Sequence, residues 1–187
     1  MSHRDRTRRQ QIVREAEGYL ELATLFADRW PLSPAVRDAV ASRSLSVLER
    51  LGVGARQSGV ISYLRGLALR TMERYAEAIE PLRTATEEEP ENLGAWLALA
   101  WCHKRTGRID LAIDALEDAL AVDPTQAIVY YNLACYWSLA KNVQLAVEHL
   151  SRAFEIDPAF RDLVDEEADF DSIRNRPEFQ SLTSAIV

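Results

Sequence analysis

The chain has two cysteines and three histidines, the side chains best suited to nucleophilic catalysis or to holding a soft metal ion. Cys102 is followed directly by His103, but neighbours on a helix point in different directions, so adjacency does not make them a catalytic pair. Cys135 and His149 lie further along. A cysteine nucleophile needs an imidazole within hydrogen-bond reach and an oxyanion site as well, and no spacing here supplies either. The cysteines also lack metal-ligand spacing. The acidic run Glu87, Glu88, Glu89 and Glu91 lacks the alternating oxygen ligands and glycine turn of a calcium loop, so it reads as a solvated surface. Phosphate loops, nucleotide fingerprints and nucleophile elbows are missing. The expectation is a protein that is not an enzyme and has no metal or cofactor. The remaining chemistry is recognition. Arg70 and Lys104, with Arg74, Arg105 and Arg108, form a set of cations that would attract an acidic segment or a C-terminal carboxylate. The competing reading is that they are solvated and complement helix C-termini.

The elements that must carry these residues follow from a repeat. Pro90, Pro124 and Pro158 stand 34 residues apart. Further columns return at the same interval: Ala85, Ala119, Ala153; Leu82, Leu116, Leu150; Ala78, Ala112, Ala146; and Gly66, Ala100, Ala134. A period of this length marks stacked helical hairpins, in which no unit can bury its apolar face alone. In the second copy Trp96, Leu99, Ala100 and His103 mark one face of the first helix, Thr106-Gly107 the turn, and Ala112, Leu116 and Ala119 the second helix. The third copy has Tyr130, Leu133, Ala134 and Trp137, a turn near Lys141-Asn142, then Ala146, Leu150 and Ala153. The alanines let helix backbones approach closely. Each proline stops the second helix of its copy, and Asp123-Pro124 and Asp157-Pro158 open the next turn.

This order of aromatic, leucine, small, aromatic, alanine, large apolar, alanine and proline resembles the tetratricopeptide repeat over residues 59–160. The match is weaker in the first copy, where Ser62, Arg65 and Leu69 replace an aromatic, a leucine and an aromatic residue. The resemblance implies an all-α, right-handed α-solenoid of three helical hairpins whose first helices line a concave groove. It implies that the groove is lined by Tyr63, Leu67 and Arg70, by Leu97, Trp101 and Lys104, and by Tyr131, Cys135 and Ser138, with Asn132 at its margin. Such a lining suits a peptide or helix of a partner protein, including an acidic one. The alternative is that Trp101 and Tyr131 pack against the chain's own terminal helix, folded into the groove. Family members that grip the acidic tail of heat-shock chaperones use a clamp of lysine, asparagine and arginine. At the matching positions this chain has Tyr63, Leu67, Ala98, Ile128 and Asn132, so that mechanism is not expected. His103 replaces a core aromatic residue and is expected to be buried and hydrogen-bonded.

The expected organisation is a flexible basic tail (1–7), an N-terminal helical hairpin (8–58), three repeats (59–92, 93–126 and 127–160) and a C-terminal capping segment (161–187). Ile12, Ala16, Tyr19, Leu20, Ala23, Leu25 and Phe26 recur at helical spacing, and Trp30-Pro31 ends that helix. Ser33-Pro34 starts the next, which runs to about Leu51. Gly52, Gly54 and Gly59 mark a loop before the repeats. The tail segment resembles the closing piece found after the last repeat in bacterial members of the family. Phe170, Ile173, Phe179 and Leu182 are placed to cover the last hairpin while Asp165 to Asp171 face water.

Composition limits the partners. With 22 basic and 29 acidic residues the net charge is -7, which disfavours nucleic acid as the main ligand. No apolar run approaches the roughly 18 residues of a membrane span, and the arginine-rich start has no apolar run behind it to make a secretory signal. A cytoplasmic protein with reduced thiols is expected. The second functional reading is self-assembly into a homo-oligomer through the array's ends or the N-terminal hairpin.

Overall fold

The computed structural model describes residues 3–24, 32–51, 58–184. Every regular element among them is helical: α1 (His3–Thr24), α2 (Pro34–Leu48), α3 (Gly59–Thr71), α4 (Tyr75–Glu88), α5 (Leu93–Arg105), α6 (Ile109–Val122), α7 (Ala127–Leu139), α8 (Val143–Ile156) and α9 (Pro177–Thr183). Two short 3₁₀ segments, Pro158–Leu163 and Ala168–Phe170, precede α9. None of these helices is long and apolar enough to cross a membrane. The chain divides into two compact units, Met1–Thr106 and Gly107–Val187.

In the first unit α1 packs on α2 and α3, α2 on α3, α3 on α4, and α4 on α5. Ile12, Ala16 and Leu20 of α1 join Val47, Leu48 and Leu51 at the end of the second helix and Ile61, Leu64 and Ala68 of α3 in one buried cluster. The N-terminal hairpin therefore supplies the apolar cover that the first copy lacks in its own sequence. α1 begins at His3, inside the segment expected to be a tail, and Thr7 Oγ1 donates to the His3 carbonyl within its first turns. Arginine and glutamine are good helix formers, so charge alone does not end the helix there. Leu25, Phe26, Trp30-Pro31, Gly52 and Gly54 lie outside the described residues. Gly59 is the first residue of α3 and not part of a loop. Its neighbour Val60 donates its backbone N–H to Glu89 Oε1 at 3.0 Å, tying the start of α3 to the end of α4.

The α3–α4 crossing shows why the small-residue column matters. A side chain on Gly66 would run into buried Leu82. The turn after α3 carries Glu73 at φ 58, with Arg74 N–H bonded to the Leu69 carbonyl and Glu73 N–H to that of Arg70. This is a Schellman turn, whose left-handed residue satisfies the last carbonyls of the helix. The turn after α7 repeats it with Lys141 at φ 61, Asn142 N–H to Trp137 and Lys141 N–H to Ser138. Gly107, at φ 77, holds the same place in the second copy.

The aromatic column has a local role that periodicity did not reveal. Trp96 is half-buried, not a deep core residue as the pattern suggested, and its indole N–H donates to the Pro90 carbonyl at 2.8 Å. In the third copy the Tyr130 hydroxyl donates to the Pro124 carbonyl at 3.2 Å. The ring at each helix start thus closes over the proline that ended the preceding helix. Ser62 cannot reach that far, which accounts for the weaker first copy.

In the second unit α6 packs on α7 and α7 on α8. The segment after α8 returns along this hairpin: Pro158–Leu163 and α9 lie on α8, and Ala168–Phe170 lies on α7. Val164, Phe170, Ile173 and Phe179 are buried, with the Phe170 and Phe179 ring centroids 5.3 Å apart, while Leu182 is half-buried. Arg174 holds the turn together by donating to the Val164 carbonyl at 3.2 Å and the Glu167 carbonyl at 2.9 Å while pairing with Asp171.

Candidate functional site

Of the residues expected to line a groove, Tyr63, Leu67, Arg70, Leu97, Trp101 and Lys104 belong to the first unit. Trp101 is the prominent one, a large ring 38% exposed. On α5 the positions three and four residues on from it are Lys104 and Arg105, and both turn back onto the ring. Lys104 Nζ stands 5.0 Å from the Trp101 ring centroid and the Arg105 guanidinium 5.8 Å. Arg105 also lies 4.7 Å over the ring of Tyr75, at the start of α4. Two cations and two rings therefore form one surface patch. Tyr75 was not legible in the sequence, because nothing local links it to a residue thirty positions away. Arg70 lies within electrostatic reach of both the Tyr63 phenol and the Cys102 thiol.

Other first-unit residues are less accessible than expected. Leu67 packs against the cluster of α1, α2 and α3. The Tyr63 hydroxyl meets Gly94 so closely that a side chain there would collide with it, and burial raises its pKa. Leu97 is half-buried. Of the other rim cations, Arg74 forms an ion pair with Glu77 at 2.5 Å, and Arg108 approaches Asp110 at 3.7 Å. They are engaged by acids of their own chain.

The expected lining from the third copy is corrected by the structure. Tyr131, Cys135 and Ser138 are 4%, 2% and 0% exposed. They occupy one stripe of α7, and the chain's own C-terminal segment lies on it. The Tyr131 ring sits 5.1 Å from Phe160 and meets Phe170 edge-on at 5.8 Å. Ser138 Oγ donates to the Asp169 carbonyl at 2.7 Å, and Ser172 Oγ donates to the Ser138 carbonyl at 3.1 Å. These residues bind the chain to itself, as the alternative reading had it for Tyr131, while Trp101, which that reading also placed under the terminal helix, is exposed. Asn132 is half-buried.

The residues with catalytic side chains are placed for structure. Burial pushes the Cys102 thiol up to about 11, against a small opposing effect of Arg70, so it is not a thiolate at neutral pH. Burial lowers the pKa of His149, whose ring lies 6.1 Å from that of Tyr130. His103 is half-buried. In the acidic run, Glu87 pairs with Arg83 at 2.9 Å and Glu89 holds the start of α3.

An array of helical hairpins whose turns and helix ends repeat on one period defines a helical-repeat protein. The sequence model of the family described as tetratricopeptide repeat matches residues 69–134, and that stretch carries tetratricopeptide repeat sequence. Solved structures show the same fold. The chain is similar to MamA MSR-1, with 21% identity, 85% of this chain and 99% of that chain covered, and a TM-score of 0.60. It is similar to MamA 41-end from Desulfovibrio magneticus RS-1, with 17% identity, coverage of 85% and 98%, and a TM-score of 0.58. It also resembles YrrB, described as a TPR protein with an unusual peptide-binding site, with 20% identity, coverage of 76% and 69%, and a TM-score of 0.56. No curated protein matches the chain.

Proposed function

We propose that this chain is a non-enzymatic protein-interaction module that takes an acidic peptide or helix of a partner protein on the exposed face of α5 around Trp101. The observation that carries this reading is Trp101 standing 38% exposed with Lys104 and Arg105 over its ring. An exposed indole offers a rigid apolar anchor at low entropy cost, and the adjacent cations offer charge-assisted hydrogen bonds to carboxylates. The occlusion of Tyr131, Cys135 and Ser138 favours the first unit as the place for the site. The peptide-binding site named for YrrB supports the class of ligand. A net charge of -7 disfavours nucleic acid, and two free cysteines suit the cytoplasm.

Affinity capture with the wild type and with Trp101→Ala/Lys104→Glu/Arg105→Glu tests it. Partners held by the wild type should be lost by the variant and weakened in high salt, while helicity stays unchanged. A variant that retains every partner would refute the reading.

A second reading, self-association through the N-terminal hairpin, is favoured by Leu22 and Val36, which stand 56% and 48% exposed. Light scattering separates the two. A mass that rises with concentration and reverts in Leu22→Glu/Val36→Glu supports self-association, and a strict monomer removes it.

A further inference from the structure

The stripe of α7 beneath the C-terminal segment holds a second constellation. The Cys135 thiol and the carboxylates of Glu167 and Asp169 each bring one ligand atom to a common point, all within 4.8 Å of one another. Cys135 is 2% exposed, and the two acids are half-buried. Tyr131 lies one helical turn before Cys135 on the same face of α7. It is 4% exposed, and its hydroxyl finds no hydrogen-bond partner among the described residues. A buried hydroxyl without a partner is unfavourable, so such a group marks a place where a ligand would be accepted. The Tyr131 ring is packed against Phe160 and Phe170, on either side of the segment that carries Glu167 and Asp169.

We propose that Cys135, Glu167, Asp169 and Tyr131 form a binding site for a divalent transition-metal ion of the zinc class. One thiolate and two carboxylates are among the donors such an ion takes, and the phenol oxygen of Tyr131 would complete four tetrahedral ligands at about 2.0–2.3 Å. Ligand atoms in that geometry stand roughly 3.3–3.8 Å apart, so the three atoms, now within 4.8 Å of one another, would draw together by up to about 1–1.5 Å to close on the ion. The support around it is built. Glu167 also accepts the Asp169 backbone N–H at 3.1 Å, and Ser138 holds the Asp169 carbonyl at 2.7 Å. The Arg174 guanidinium is committed to the Val164 and Glu167 carbonyls and to Asp171. On binding, the Cys135 S–H bond breaks, a metal–sulfur bond forms, and the proton passes to solvent. The ion would fasten the C-terminal segment to α7. This site is independent of the peptide-binding face proposed above.

The test is titration of the full chain with Co²⁺ alone, whose thiolate complex has a near-ultraviolet charge-transfer band. The wild type and Cys102→Ala should show the band, and Cys135→Ser should not. Glu167→Gln and Asp169→Asn, which keep the thiol, should weaken affinity at least about 10-fold, the loss typical of disturbing even an outer-sphere partner. Zn²⁺ should displace Co²⁺ and raise the melting temperature of the wild type but not of Cys135→Ser. A folded wild type without the band, a band that survives Cys135→Ser, or acid variants with unchanged affinity would overturn the site.

Discussion

Ser138 and Asp169, 31 residues apart, are joined by a 2.7 Å hydrogen bond from the serine hydroxyl to the aspartate's backbone carbonyl. Ser138 sits on the stripe of α7 that carries Tyr131 and Cys135, and Ser172 donates back to its carbonyl at 3.1 Å. The stripe is thereby bonded to the chain's own C-terminal segment. A partner approaching this part of the repeat meets that segment instead of the aromatic lining.

Ser138→Ala removes a buried donor from the backbone carbonyl of half-buried Asp169. Losing that bond should cost about 0.5–1.5 kcal/mol, read as a lower urea midpoint. Amide exchange should speed up in residues 164–172 before it does in α7. Unchanged exchange there would mean that the apolar contacts of Phe170 and Ile173 hold the segment by themselves.

Glu73 and Lys141 occupy the left-handed position that Gly107 fills in the second copy. A side chain in this region costs roughly 1–2 kcal/mol, and glycine does not pay the steric part of it. Glu73→Gly and Lys141→Gly should each stabilise the chain by up to about 1 kcal/mol in urea denaturation. Gly107→Ala should destabilise it by a similar amount, since open space around Gly107 leaves only the backbone penalty. Equal midpoints for all three variants would show that the turns do not carry this strain.

His149 sets a pH dependence. Burial lowers its pKa in the folded chain, so the unfolded chain takes up the proton first as pH falls. Its contribution is complete above the ordinary histidine pKa of about 6.5 and is lost as pH falls through the folded value. Between about pH 7.5 and 5 the wild type should lose more stability than His149→Gln, measured as the difference in urea midpoints. Parallel losses would assign the pH dependence to other groups.

The helical hairpins were legible because they follow from local chemistry at fixed offsets. Prolines end helices, alanines permit close crossings, and leucines recur on one face, so the columns around Pro90, Pro124 and Pro158 state both the element type and the period. The weak first copy was legible in the same way: Ser62 stands where an aromatic ring is needed, and the N-terminal hairpin covers that copy instead. Tertiary structure decided which faces stay open. Trp101 and Tyr131 both lie on the expected groove face of first helices, yet one is an exposed ring under two cations and the other is buried against Phe160 and Phe170. Periodicity reports which residues leave the repeat's own core. It carries no information on whether a segment thirty residues downstream returns to cover them, because that depends on the free energy of docking Phe170, Ile173 and Phe179 against α7 and α8. The same return of the chain brings Glu167 and Asp169 to Cys135, a grouping that no spacing along the sequence could announce.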